Sequence, residues 1–374
     1  MIRYIALGLR RDKALEIAQL SRHQYYYRPK SGRKGRTPPG FTQKVHDGNG
    51  TLVPDSQVLE NITRILGDED TQYGYHKMTK ALQLDCFCIN HKKVMRLMSE
   101  NHLLNDKRKG PGRKFVQFRK VIPDGPLSVI EMDIKMVWVE EHRQHAYILT
   151  ALDTFTRMTL GWVVSYSIKQ QMVKSLWTEI INNYLQPYDC LNRAIKIEIR
   201  NDNDSRFLAR SVQQFFAENH LNQVFTHPYT PQENGHIESF HAILSSHLER
   251  RTFYSINELE HDLGIFYYKY CHIRLHSSIC FLPPVTFWKC YLANLVNVTI
   301  DQKSRRTRFK LLCPHYHLSG DMNLKAVPWH MNSLLDFDFF KWGMPENPES
   351  GPYLTFPRPS VNNHPRRSLA MTKL

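Results

Sequence analysis

From residue 126 onward the chain carries an order of patterns that few folds can accept. Apolar residues alternate or form short runs over 128–139, 146–152 and 159–166, with brief turns between, and these read as three successive strands. Helical spacing then takes over at 169–184. A strand over 194–199, a helix over 207–219, a strand near Val224 and a final helix from near Gln232 past Leu248 follow. Three strands joined by short turns, then helices alternating with strands, predict a mixed α/β layer.

Upstream the texture is different. Residues 1–27 suggest two short helices around Ser21, and residues 55–105 repeat apolar side chains at helical spacing, from Val58 and Ile62 to Val94, Leu97 and Met98. Between and after them lie two basic, Pro/Gly-rich stretches, 28–54 and 106–125, that read as linkers able to follow phosphates. The expected order is therefore an N-terminal helix-turn-helix (1–27), a linker (28–54), a second helical DNA-binding domain (55–105), a linker (106–125), the α/β core (126–292), and a tail (293–374) for which the sequence offers no fold. A helix whose exposed face is His91, Lys92, Lys93 and Arg96 suits a major groove, although a plain three-helix bundle has the same periodicity. With Arg22 and the linker residues Lys107, Arg108, Lys109, Arg113 and Lys114, these are the candidate DNA contacts.

Charge supports that direction. Fifty Lys and Arg against 35 Asp and Glu give +15, which favours a polyanionic partner, though a basic protein without one has the same excess. Hydrophobic residues make up 41%, enough for real cores and too many for wholesale disorder. The seven cysteines form no Cys-x-x-Cys pair, so neither a disulfide framework nor a zinc ribbon is indicated, and Cys313, His315 and His317 lack a fourth ligand. No apolar run approaches the roughly 20 residues of a membrane helix, and no signal-peptide core opens the chain, so the expectation is a cytoplasmic protein with no membrane partner. A phosphate loop of the ATPase type is absent.

Three carboxylates occupy telling positions. Asp133 lies inside the first strand, in Val129-Ile-Glu-Met-Asp-Ile-Lys-Met-Val-Trp138; a charge among buried neighbours needs a partner or a metal. Asp202 follows a strand end, where α/β sheets open their ligand crevices. Glu238 lies on the last helix, whose Ile237, Phe240, Ile243, Leu244 and Leu248 form the stripe that packs on the sheet. Such a trio suits two Mg²⁺ ions, with Mn²⁺ as substitute, because these hard cations prefer oxygen ligands. Asp153 lies at a strand end, and Glu233 reads as a cap of the last helix.

These segments resemble a known family. Thr230-Pro-Gln-Glu-Asn-Gly-His-Ile-Glu-Ser-Phe240 is similar to the third-carboxylate motif of retroviral-type integrases and transposases, and 35 residues lie between Asp202 and Glu238, the spacing that describes the Asp, Asp, 35, Glu group. Tyr73-Gly-Tyr-His-Lys-Met78, Asn90-His-Lys-Lys-Val-Met-Arg-Leu-Met98 and Tyr270-Cys-His-Ile-Arg-Leu-His276 resemble the second-frame product of two-frame bacterial insertion-sequence transposases, in order across residues 1–292. The resemblance implies an RNase H-like core with Asp133, Asp202 and Glu238 as catalytic metal ligands, and it places Asp153 in a structural turn. It implies cleavage at element ends, joining of the 3′-hydroxyl to another strand, and a homo-oligomer of at least two subunits on terminal inverted repeats and target DNA. An upstream first-frame protein is a further expected partner, this chain being the catalytic half. A nuclease that cuts without joining and an end-binding regulator without activity stand as rival readings. Two positions depart from the pattern. Asp204 stands where the family has glycine, so a left-handed turn is expected there, and His241 and Ala242 stand where a DNA-contacting lysine is usual.

Overall fold

A computed structural model describes residues 5–26, 40–46, 49–105, 121–188, 190, 196–227, 231–301 and 306–318. The chain divides into two compact units, 1–40 and 41–374. In the first, helices α1 (Arg11–Ile17) and α2 (Arg22–Tyr26) form the expected helix pair, with Arg22 exposed and paired to Asp12 at 3.1 Å.

The second unit opens with strands β1 (Phe41–His46) and β2 (Asn49–Pro54), which pair antiparallel and are extended by β3 (Phe87–Cys88). This corrects the linker expectation for 41–54: an Asp-Gly pair separates the two strands in the sequence, a hairpin signal outweighed by the polar, basic surroundings. Helices α3 (Asp55–Leu66), α4 (Tyr75–Leu84) and α5 (His91–Glu100) follow. Their apolar faces meet in one cluster of Val58, Ile62, Met78, Leu82, Phe87, Val94, Leu97 and Met98. Asn90 starts α5 by accepting the N–H of Lys93 at 2.9 Å.

The core is a five-stranded mixed sheet. Strands β4 (Val129–Val139), β5 (Gln144–Asp153) and β6 (Thr159–Ser165) form an antiparallel meander, and β7 (Ile197–Asn201) and β8 (Leu221–Phe225) join it in parallel, giving the order β6-β5-β4-β7-β8. Helix α6 (Gln170–Ile180) covers β6. A Cβ at Gly161 would lie 2.6 Å from Leu176 Cδ1, so any larger residue would require the Leu176 side chain to move aside. Helices α7 (Ser205–Leu208) and α8 (Arg210–Glu218) lead to β8, and α9 (Gly235–Leu248) packs Ile237, Phe240, Leu244 and Leu248 into the core. Trp177, fully buried, donates to Met132 Sδ at 3.1 Å beneath β4; truncating it to Ala would cost about 3–5 kcal/mol. This sheet, an antiparallel three-strand meander extended by two parallel strands with helices alternating after it, is the RNase H-like arrangement.

Helices α10 (Ile256–His272) and α11 (Pro284–Leu292) complete the core. The tail is not without fold: strands β9 (Val296–Asp301) and β10 (Arg306–Leu311) pair antiparallel, and Val296 joins Phe155, Ile279, Leu282 and Phe287 in an apolar cluster. Its alternating charges hid that strand pattern. Residues 319–374 lie outside the described residues, as do the linker positions Lys107, Arg108, Lys109, Arg113 and Lys114. Among the described residues no helix is long and apolar enough to cross a membrane.

Candidate active site

Strand alternation puts Glu131 and Asp133 on one face of β4, opposite Met132. Asp133 Oδ1 accepts the N–H of Ile134 at 2.8 Å, and Oδ2 lies 3.3 Å from His241 Nδ1 on α9. Asp202 follows directly on β7, exposed, with Oδ1 accepting the N–H of Asp204 at 3.1 Å. Glu238 is exposed in the first turn of α9.

The three influence one another. Partial burial and then the charges of Asp133 and Asp204 hold Asp202 above the usual carboxylate range. Burial followed by Asp133 and Glu131 does the same to Glu238, against a smaller opposite pull from His241. A strand, a strand end and a helix thus bring the predicted carboxylates into one region around Asp133. Among the described residues, however, no three His, Cys, Asp or Glu side chains stand ready as ligands about one point.

Two further residues shape this region. Glu131 is fully buried, and its Oε2 accepts the N–H groups of His236 and Ile237 at 3.0 and 2.7 Å, while Oε1 lies 2.8 Å from His236 Nδ1. It closes the amino end of α9, the helix that carries Glu238. Burial pushes Glu131 up to about 8, against the Ile237 N–H, Arg157 and Arg200. Glu233, the expected cap, instead accepts the N–H of His227 at 2.8 Å and fastens the preceding loop, because a carboxylate from β4 already occupies the capping position. His241 is the second such residue. Its side chain is 11% exposed, faces Asp133, and leaves Nε2 buried without a hydrogen-bond partner.

Asp204 also differs from expectation. Its φ is −62°, so no left-handed turn forms. Its Oδ1 accepts the N–H of Arg206 at 2.9 Å, starting α7, and its carboxylate pairs with that guanidinium. Asp153 is the turn residue the sequence suggested: buried, it accepts from Leu127 N, Thr156 N and Thr156 Oγ1 at 3.1, 2.9 and 2.6 Å. His315 Nε2 lies 2.7 Å from the Cys280 carbonyl, and no zinc-type cluster occurs among the described residues.

Comparison with known proteins places this arrangement. An integrase core domain model matches residues 123–231, a second integrase core model 219–284, and an HTH-like domain model 54–110. A 39.2 kDa protein of insertion element IS476 from Xanthomonas euvesicatoria is 24% identical over 278 residues, covering 74% of this chain and 78% of its own. InsK, the transposase assigned to insertion sequence element IS150 of Escherichia coli (strain K12), is 22% identical over 292 residues, covering 74% and 92%. The chain is thus similar to insertion-sequence transposases along most of its length and carries integrase core and HTH-like matches. Among solved structures, the Mos1 mariner transposase catalytic domain aligns at 12% identity over 38% of this chain and 70% of that one, with a TM-score of 0.33.

In this chain the HTH-like helices do not present the basic face that the sequence suggested. His91 and Lys92 are exposed, but Lys93 reaches Asp55 at 2.6 Å and the Phe41 carbonyl at 2.7 Å, and Arg96 pairs with Asp55 and Glu100, both at 3.1 Å. The amino end of α3 needs Asp55, and Asp55 draws two of the four basic side chains inward. That leaves His91, Lys92 and Met95 outward, with the rings of Tyr75, His76 and His91 grouped beside them at 4.1 and 5.7 Å.

Proposed function

We propose that this chain binds the ends of an insertion element and cuts and joins DNA strands at a site made by Asp133, Asp202 and Glu238. The observation that carries this reading is electrostatic. Two carboxylates from different elements, at a strand end and in the first turn of a helix, are raised by partial burial and then by the charge of a third, Asp133, an arrangement that costs stability and suits cations. The donor set fits Mg²⁺ or Mn²⁺, which when bound would stabilise charge developing at phosphorus and lower the pKa of an attacking water or 3′-hydroxyl.

The protein's own residues prepare that chemistry. The Ile134 N–H fixes Asp133, the Asp204 N–H fixes Asp202, and Glu131 anchors the first turn of the helix from which Glu238 projects. Exposed His91 and Lys92 are proposed DNA contacts, and Arg22 and the 106–125 basic residues further phosphate contacts. Pairing two element ends requires at least two copies, with an upstream first-frame protein as an additional partner. The test is to incubate the purified protein with labelled element ends and Mg²⁺. The expected products are nicked and joined strands, absent in Glu238→Gln, which still binds the DNA. Nicking without joining would move the reading to a nuclease, and end binding without either would move it to a regulator.

A further inference from the structure

Two sequence motifs, Tyr73-Gly-Tyr-His-Lys-Met78 and Tyr270-Cys-His-Ile-Arg-Leu-His276, take no part in the carboxylate site, yet the fold brings them together. The Leu275 N–H donates to Tyr73 Oη at 2.9 Å, and buried Leu275 joins the apolar cluster of the helical domain. The Arg274 guanidinium donates to the Asp70 carbonyl, and its Nε is buried without a partner. Lys77, four residues after Tyr73, places Nζ 5.6 Å from the Tyr73 ring. Lys80, one turn further, contacts Gln83 Oε1 at 3.0 Å and His315 Nδ1 at 3.5 Å.

What Lys77, Lys80 and Arg274 lack among the described residues is a carboxylate of their own: Asp68 and Asp70, whose charges reach Tyr73, are paired with Lys269 and His247. Among the described residues neither Lys77 nor Lys80 has a carboxylate partner. Burial and then the Arg274 charge bring Lys77 down to about 8. His276 is pushed down to about 3 by burial first and then by Arg274 and Lys77, so its ring stays neutral and Tyr270 O receives it at 3.3 Å. Nearby the same chain supplies carboxylates freely: Asp68 meets Lys269 at 2.9 Å, and Asp70 and Asp262 flank His247. Half-buried cations left without counter-charge are a standing cost, and one that an external anion removes. Lys77 and Arg274 are both partly exposed, so an anion can reach them.

We infer that the junction of α4 with the segment following α10 is a phosphate-binding site for the DNA backbone, formed jointly by Lys77 of the helical domain and Arg274 of the core. The inference rests on the reading that DNA is the substrate, and it adds a contact outside both the carboxylate site and the HTH-like helix face. A phosphate held there touches both domains at once, so DNA engaged by the helices is registered against the catalytic sheet.

The test uses the full chain and a labelled duplex. Binding is titrated over a range of salt concentrations for wild type, Lys77→Gln and Lys77→Arg, with thermal melting of each free protein. Lys77→Gln should weaken binding several-fold, flatten the slope of log affinity against log salt by about 1, and leave Tm unchanged or higher. Lys77→Arg should restore affinity and slope. An unchanged slope in Lys77→Gln beside a salt-dependent wild type would overturn this site alone. A lowered Tm with full slope would make Lys77 a packing residue and overturn it equally. A wild type with no salt-dependent binding would remove the DNA reading, and this inference with it.

Discussion

Two acidic clusters in this chain have opposite characters. Around Asp133, carboxylates face one another with little compensation, and Asp202 and Glu238 are held above their usual range. Between the helical domain and the core, Asp68, Asp70 and Asp262 meet Lys269, His247 and Arg251 at 2.9, 2.9 and 3.1 Å, and Asp70 is held below its usual range. Burial alone would raise Asp70, but the hydrogen bond and charge of His247, with Lys269 and Arg251, outweigh it. The same residue type therefore acts as a tie where cations surround it and as an open ligand where they do not.

The largest expected contrast is between activity and stability. Asp202→Asn should reduce strand joining by about 10²-fold or more, the loss typical of removing one electrostatic stabiliser, while Tm holds or rises as repulsion is relieved. A lower Tm with unaltered joining would reverse the roles of the two clusters. Asp70→Asn should do the opposite. It leaves His247, 1% exposed, facing fewer charges, and breaking a buried pair of this kind costs about 3–5 kcal/mol, read by denaturant unfolding.

Acidity should separate the clusters further. Burial would depress His247, but the hydrogen bonds its ring makes to the Asp262 and Asp70 carboxylates overcome it and hold the imidazole above 6.5. A raised histidine contributes stability that is complete below its unfolded value and lost as pH rises through the folded one. Melting followed from pH 6 upward should thus show a decline that His247→Gln abolishes, and an identical decline in the variant would assign it elsewhere. The smallest effect is expected at the rim. Glu69 lies 3.8 Å from Arg250 with both side chains well exposed, so Glu69→Gln should change stability by only about 0–1 kcal/mol.

Much of this was written locally. The five strands and their order of helices followed from periodicity, and Asp133, Asp202 and Glu238 from motif and spacing, because each depends on neighbours within a few residues. What escaped depends on distant partners. Glu131 reads as one more polar residue in a strand until α9, more than a hundred residues later, lays its N–H groups on it. His247 resembles a solvated helix residue, yet its partners come from residues 70 and 262. Lys93 and Arg96 looked like a groove-reading face because nothing in their own helix reveals Asp55. The β9–β10 strand pair was hidden by alternating charges in a two-stranded ribbon whose apolar partners, Phe155 and Phe287 against Phe309 among them, lie outside its own sequence.

The position of Glu131 two residues before Asp133 has a consequence for how the enzyme fails. A single strand supplies one of the proposed ligands and also locks the helix that carries another, and the β4–β5 pairing runs unbroken from Ile130 to Val139. A slip of one residue would turn both carboxylates to the opposite face together, releasing α9 as it removed Asp133. A chain misassembled in this way loses two parts of the proposed site at once, so a folding error in β4 yields a blunt protein rather than a careless one.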